Sequence, residues 1–496
     1  MRFLLKNEML IPEALSDKSG AKRISEHKSS YPQSFNPIFK YSSELQRLLY
    51  GKQLLLEEIP FPFEDIHNHY LNGFLQYRKC IEKMKDGYFC VRCGNSDQKL
   101  FASFSCARCR QECAYCRKCI NMGRMSQCTV LVSWTGPSPL SKIPEKPLVW
   151  DGTLSDGQKR ASTELINTVQ ENDQLLIWAV CGAGKTEILF EGIENALKSG
   201  KKVCIATPRT DVVIELAPRI KSAFPEVDVI ALYGGSEDRN KAAPITLATT
   251  HQLLRYYKAF DMIIIDEVDA FPYSVEPMLQ YAVNQAKKDI SSTICLTATP
   301  NQAWKNEIAN GKRKAVTIPA RYHRHPLPVP EFVWCGNWEK MMKKKRLPRN
   351  VLAWIKEHLN VGKQAFLFVP RITYLESIVD ILRTVDIRIA GVHAEDSDRK
   401  DKVARFRSGE IPILVTTTIL ERGVTVPNID VAVIGTEDKI FTESALVQIS
   451  GRVGRSAQYP NGEILFFHYG RTKEMIKAKQ HIENMNNEAL QNGFIN

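Results

Sequence analysis

The run AVCGAGKTE, residues 179–187, constrains the fold of this 496-residue chain more than any other feature. It follows an apolar, strand-like run, LLIWAV, and opens a helical stretch. That is the setting in which a glycine-rich loop cradles phosphate. Gly182 and Gly184 let backbone N–H groups approach phosphate oxygens with no Cβ in the way, and the helix start adds a favourable dipole. Lys185 can reach the β- and γ-phosphates, and the Thr186 hydroxyl can ligate magnesium. The expected ATP-binding loop is Ala179, Val180, Cys181, Gly182, Ala183, Gly184, Lys185, Thr186 and Glu187, with Mg2+ as the accompanying ion. A chance glycine-rich turn is the bland alternative, and the strand, the spacing and the Lys–Thr pair speak against it.

Such a loop needs a parallel sheet around it, and the flanking text supplies one. From about Trp150, the apolar runs LLIWAV, KKVCIAT, MIIIDEV and TICLTAT are separated by helical or loop segments. This alternation indicates a parallel sheet covered on both faces. It pauses over ARYHRHPLPVPEFVWCGNWEKMMKKKRLPRN, rich in proline and positive charge, and resumes with QAFLFVP, IRIAGVH, IPILVTT, VAVIG and GEILFF. The expected fold class is therefore α/β: two RecA-like lobes with parallel sheets, preceded by a small zinc-binding module. The expected boundaries are an N-terminal region at 1–75, a Cys-rich module at 76–130 and a proline-rich linker at 131–149. Lobe 1 follows at 150–318, a basic hinge at 319–350 and lobe 2 at 351–496. Residues 1–75 read as irregular and polar, with one helical stretch, SSELQRLLYGKQLLLEE.

Further motifs complete the chemistry. MIIIDEVDAF delivers Asp266 and Glu267 to the carboxyl end of a strand, where ligands collect in open α/β sheets. Asp266 is expected to hold magnesium through water, and Glu267 to activate the attacking water. Gln158 lies upstream of the loop, where related motors read the adenine edge. TATP, residues 297–300, resembles a segment that couples hydrolysis to lobe movement. Pro208, Arg209, Thr249 and Thr250 are expected to grip a phosphodiester backbone. In lobe 2, QISGRVGRS holds Gln448, Arg452 and Arg455. The two arginines are three apart, so on a helix start they would share a face and point across a cleft. An arginine supplied by the opposite lobe makes hydrolysis depend on closure. TTTILERGVTVP places Thr417 toward nucleic acid and Gly423 toward nucleotide. Thr425 stands where an acidic residue is common, so the motif's usual ribose contact is not carried over to this position. Ala179 replaces the usual first glycine of the phosphate loop, a form common in superfamily 2 helicases, and the whole motif series of that superfamily is present in order.

Seven of the thirteen cysteines fall between Cys90 and Cys119. In a reducing compartment such clustering means metal rather than disulfide. Cys90 and Cys93, with Gly94 closing the turn, form a knuckle for Zn2+. The second pair is open on spacing: Cys106/Cys109, Cys113/Cys116 and Cys116/Cys119 all have two intervening residues, and loop length alone favours Cys113/Cys116. Interleaved Tyr88, Arg92, Arg108, Arg110, Tyr115, Arg117 and Lys118 suit a strand-binding surface. The excess of Lys plus Arg (67) over Asp plus Glu (55), a net +12, favours an acidic partner such as nucleic acid. No run approaches the ~18 apolar residues of a membrane helix. The first apolar run breaks at Lys6 and Glu8, unlike a secretion signal, so a cytoplasmic place, with peripheral attachment to the membrane open, is expected.

The combination of the CxRCG knuckle, YCRxC followed by MGR, WAVCGAGKTE, IATPRTDVV, DEVDAFPYS, TTTILERGVT and FTESALVQISGR resembles the ComFA family of transformable Gram-positive bacteria over about residues 80–490. The resemblance selects Cys116 and Cys119 as the second zinc pair and leaves Cys106, Cys109 and Cys113 outside it, with a second site open. It implies an ATPase stimulated by single-stranded DNA that helps to draw transforming DNA through a ComEC-type channel. It also implies ComFC-like and DprA-like partners and a homo-oligomer. The residues by themselves also allow a replication-restart or repair helicase. From another class, they allow a non-catalytic, zinc-dependent DNA-binding scaffold, against which the intact Lys185, Asp266, Glu267 and Arg455 argue.

Overall fold

A computed structural model describes every residue except 17–19, 29, 140–141, 425 and 496, so Thr425 lies outside the described residues. The apolar runs form strands because they are buried along their whole length, as parallel sheets demand. All five residues of Val203–Thr207, Asp430–Ile434 and Ile464–His468 are buried. One sheet has seven strands in the order Val229–Leu232, Ile245–Thr249, Val203–Thr207, Phe260–Ile265, Lys287–Thr297, Gln174–Ala179, Ala315–Ile318. The other has six, all parallel: Glu331–Trp334, Ile464–His468, Asp430–Ile434, Ala365–Phe368, Ile413–Thr416, Ala390–Val392. Helices turn an apolar stripe to this second sheet: Ile372–Arg383 buries Leu375, Ile378, Val379 and Leu382, the spacing of one helical face. Two RecA-like parallel sheets are thus present.

The chain divides into two compact units: Met1–Asp151 with Leu165–Gln174 and Phe190–Cys295, and Gly152–Glu164 with Leu175–Leu189 and Leu296–Asn496.

The first unit shows that residues 1–75 are neither irregular nor separate. Met9–Pro12, Arg2–Lys6 and Lys22–Arg23 form one small antiparallel sheet; Leu54–Leu55, Val130–Trp134 and Leu75–Lys79 form another. Phe3, Leu10, Ile24, Leu45, Leu49, Tyr70, Phe74, Tyr77, Val130 and Val132 share one core. The boundary expected at residue 75 therefore falls inside a strand, and the strand Val130–Trp134 takes the first residues of the expected linker. These strands run only two to five residues with mixed polarity, too short for a period-2 signal. The expected helix over 42–58 shortens to Ser43–Leu49. It stops because Gly51, at φ +72°, lies against Ala259, whose Cα is 3.0 Å from where a Cβ would sit. The same unit ties this region to the ATPase part: the Gln53 amide donates to Arg255 O at 2.7 Å, and Tyr281 Oη donates to Val91 O at 3.1 Å.

In the second unit, the stretch read as a hinge carries real structure. Glu331–Trp334 is the edge strand of the six-stranded sheet, and Trp338, Met342 and Leu347 are buried in its core. Its prolines and lysines masked the apolar residues between them. Among the described residues no helix is long and apolar enough to cross a membrane.

Candidate nucleotide site and cysteine centres

The phosphate loop leaves the strand Gln174–Ala179 and enters the helix Lys185–Ile188, as its sequence requires. Gly182 (φ +86°) and Gly184 (φ +70°) both occupy the left-handed region. At Gly184 a Cβ would also stand 2.4 Å from Gln158 Nε2. Gln158 is buried and wholly engaged: Nε2 donates to Ala183 O at 2.9 Å, and Oε1 accepts from the Ser155 amide at 2.8 Å. In this structure it braces the loop.

The second unit brings three of the sequence motifs together. Cys181 Sγ donates to Gln448 Oε1 at 3.1 Å, and a Cβ on Gly451 would lie 2.5 Å from Cys181 Cβ, so only glycine fits there. Trp178 Nε1 donates to Ala298 O at 3.0 Å, and Thr299 and Ser444 hydroxyls meet at 2.8 Å. The TATP segment therefore touches both the strand before the phosphate loop and the helix Glu443–Ser450. Glu443, bonded to His481 and Lys305 at 3.0 Å each, is pulled down to about 2 by the His481 hydrogen bond and then the Lys305 charge.

Arg321, not anticipated from the sequence, joins the same assembly. It is 2% exposed, donates through Nε to Cys181 O at 3.1 Å and through Nη1 to Gly454 O. Burial lowers its pKa to about 10, a measure of how dry this position is. Its only sequence signal was one arginine among the charges of the supposed hinge.

The arginine segment differs from expectation. It lies at the end of the helix Glu443–Ser450, not at a helix start, and residues 451–454 form a turn. Arg452 and Arg455 therefore do not share a helical face. Arg452, 1% exposed, donates to Glu421 O at 3.0 Å and to Val424 O. It holds the 421–424 loop beside Gly423 (φ +79°) in place. Arg455 is half-buried, with Nε on Gly451 O at 2.8 Å.

In the first unit, Asp266 and Glu267 follow the strand Phe260–Ile265 as expected. The Asp266 amide donates to Ala206 O at 2.8 Å, and its carboxylate accepts from the Glu267 amide at 2.9 Å. Glu267 adopts φ +56°, a left-handed conformation costly for a residue with a Cβ and frequent at functional sites. Pro208 is buried; Arg209 forms a two-pronged pair with Asp211 at 2.7 and 3.1 Å. Thr249 and Thr250 are buried, and Thr417 is half-buried at the start of the turn Thr418–Leu420.

Among the described residues, two sets of four buried cysteines each gather their sulfurs within 4.8 Å: Cys90, Cys93, Cys116 and Cys119, and Cys106, Cys109, Cys113 and Cys128. Cys90–Cys119 and Cys93–Cys116 separations are 3.8 and 3.7 Å. A tetrahedral ion with ~2.3 Å zinc–sulfur bonds sets its ligands about 3.8 Å apart, so the first set fits zinc. Cys113/Cys116, favoured by loop length, is split between the sets. The two are three apart on the strand Gln111–Cys116 and face opposite ways. Arg92, expected among the strand-binding bases, is buried instead; it donates to Cys119 Sγ at 3.2 Å and to the carbonyls of Cys119, Met122 and Gly123. Hydrogen bonds from Cys116, Cys90 and Cys93, with the Arg92 charge, hold the Cys119 thiol far below its ordinary range. Gly94 (φ +70°) seats the knuckle on Tyr281, whose ring would be 2.7 Å from a Cβ. Cys128 was missed because it stands alone beyond the cysteine run.

Three family descriptions match the sequence: the competence protein ComFA N-terminal domain over residues 33–133, the type III restriction enzyme res subunit over 151–302, and the helicase conserved C-terminal domain over 343–457. With two parallel sheets and these motifs, they define an ATP-hydrolysing, helicase-like enzyme of superfamily 2. The chain is 50% identical over 446 residues to competence protein ComFA of Bacillus subtilis (strain 168), spanning 90% of this chain and 96% of that one. It is 37% identical to competence protein ComFA of Streptococcus pneumoniae (strain ATCC BAA-255 / R6) over 76% of this chain and 86% of that one. ATP-dependent DNA helicase RecG of S. pneumoniae serotype 4 (strain ATCC BAA-334 / TIGR4) is 25% identical over 61% of this chain and 47% of its own length. The chain belongs to the ComFA family. It is a competence-associated, helicase-like ATPase for which ATP and Mg2+ are the implied cofactors.

Proposed function

We propose that this enzyme is a single-stranded DNA translocase that uses ATP to draw transforming DNA into the cytoplasm, working at the inner face of the membrane. The observation that carries the reading is the joining of phosphate loop and arginine segment through Cys181–Gln448 and Arg321–Gly454 within one compact unit. Lys185 would bind the β- and γ-phosphates, and Thr186 and Asp266 would hold magnesium, which neutralises phosphate charge. Glu267, held in a left-handed backbone conformation, would take the proton of the attacking water. Arg455 would meet the phosphates as the finger, while Arg452 acts as a positioning residue through the 421–424 loop. Gln158 reads adenine only by exchanging one of its present bonds. Arg209 and Thr417, both half-buried, are the leading candidates for DNA contact, with Pro208, Thr249 and Thr250, all buried, the further proposed ones. Cys90, Cys93, Cys116 and Cys119 hold zinc. A ComEC-type channel, ComFC-like and DprA-like proteins and further copies of this chain are the proposed partners. A restart or repair helicase is the alternative, and strand separation of a fork without directional transport along one strand would favour it.

The test is ATP hydrolysis with no nucleic acid, single-stranded DNA, duplex DNA and RNA. Stimulation by single-stranded DNA is expected, with a loss of roughly 100- to 1000-fold or more in Lys185→Ala and Glu267→Gln. Stimulation by RNA as strong as by DNA, or activity surviving Lys185→Ala, would overturn the reading.

A further inference from the structure

The second set of cysteines has no place in the motor reading. We propose that Cys106, Cys109, Cys113 and Cys128 bind a second structural zinc ion, simultaneously with and independently of the one at Cys90, Cys93, Cys116 and Cys119. The inference does not depend on the translocase reading.

Geometry comes first. The four sulfurs lie within 4.8 Å of one another, and Cys106–Cys128 is 3.6 Å, close to the ~3.8 Å edge of a zinc tetrahedron. A disulfide would need about 2.05 Å. The separations match those of the first set, in which the pairs are 3.7 and 3.8 Å apart.

The surroundings supply the second argument. The four side chains are at most 5% exposed, yet the cluster they form contains no other buried apolar residue, and Phe104 is the one partly buried neighbour. The strands Phe101–Cys106 and Gln111–Cys116 make a two-stranded hairpin, bridged at Tyr115 to Ser126, whose tip carries Cys106 and Cys109. Such a hairpin is marginal alone in water, and four thiols offer too little apolar surface to hold it. An ion bound by four thiolates would close the tip onto the segment that carries Cys128.

The donor set and its charge agree. Four thiolates select zinc over magnesium or calcium, and leave the centre with two negative charges. The Met1 ammonium donates to Cys128 O, and Arg124 lies over the Phe104 ring at 4.8 Å. Arg23 donates to Glu112 O at 2.7 Å. Cations thus line the segments that bear the ligands. Backbone ties already hold the Cys128 segment in register: the Gln127 amide donates to Ala114 O at 3.0 Å, and its side chain accepts from the Ala114 amide at 2.8 Å.

Buried free thiols are the alternative, since cysteine packs as a small apolar residue. Zinc content of the full-length chain, purified without added metal, separates the two. The expected count is two per chain, falling to one in Cys109→Ser/Cys128→Ser and to one in Cys93→Ser/Cys119→Ser. Cobalt exchange should give a tetrahedral tetrathiolate spectrum that loses half its intensity in each double variant. One zinc per unsubstituted chain overturns the proposal, as do two that persist in Cys109→Ser/Cys128→Ser. The unsubstituted count decides even where a variant fails to fold. A protein with two zinc ions and no DNA-stimulated hydrolysis would sink the translocase reading alone.

Discussion

The strands of the six-stranded sheet and the hairpin at Phe101–Cys106 solve one problem by opposite means. Around Ala365–Phe368 and Asp430–Ile434 every side chain is buried, and each large apolar one contributes roughly 1.5–3 kcal/mol. Around Cys106 and Cys128 the buried hydrophobic cluster is made of four thiols. Where aliphatic volume suffices, the chain folds by exclusion of water; where it does not, the proposed zinc ligation would take its place. The sheet should therefore be indifferent to metal, and the hairpin sensitive to it.

Stripping zinc with a chelator is the most severe test, because a structural zinc contributes on the order of 10 kcal/mol to the fold of its module. Hydrogen exchange should then accelerate across residues 90–128 while 365–368 and 430–434 keep their protection; uniform acceleration would break the comparison. A smaller effect runs the other way. Phe366, 1% exposed and packed 4.7 Å from the Phe406 ring, should cost about 3–5 kcal/mol of unfolding free energy as Phe366→Ala, with zinc content unchanged. Denaturant titration with metal analysis on the same samples checks both halves.

The smallest effect lies in a charged knot on the sheet. Asp430 accepts from His358 at 3.0 Å and Lys363 at 2.7 Å. Burial opposes charge on both partners, but these bonds more than offset it, so Asp430 sits below and His358 above its ordinary pKa. A raised histidine stabilises fully below its unfolded value near 6.5 and loses that contribution as pH rises through the folded value. A depressed aspartate stabilises above about 4 and loses it as pH falls. Stability of the second unit should thus be greatest between these limits and decline as pH rises above 6.5 through the folded value of His358. Denaturant midpoints that do not differ in slope between the original chain and His358→Gln over pH 6–8 would refute this.

The same contrast explains what could be read in advance. Val203–Thr207 and Phe260–Ile265 announce themselves as continuous apolar runs, and the loop between Ala179 and Lys185 by its glycines and its Lys–Thr pair. Val229–Leu232 and Ile245–Thr249 did not, being four- and five-residue strands beside prolines and polar residues. The site residues were mostly legible one by one; their partners were not. Arg321 and Gln158 act through backbone carbonyls that leave no mark in a side-chain pattern. Arg452 was misplaced because spacing alone cannot tell the last turn of a helix from its first. Cys128 was missed because a ligand is found by spacing only when it has a near neighbour.

Along the chain the two sets of cysteines interleave: 90 and 93, then 106, 109 and 113, then 116 and 119, then 128. A ribosome therefore releases Cys90, Cys93, Cys106 and Cys109 first, two from each final set. An ion captured by those four is bound to the wrong company. It must change two ligands once Cys116 and Cys119 emerge, and the other centre waits nine residues more, for Cys128. With zinc at both sets, faithful assembly would depend on thiolate exchange outpacing the departure of the nascent chain, and zinc supply during translation, not only afterwards, would set the yield of folded enzyme.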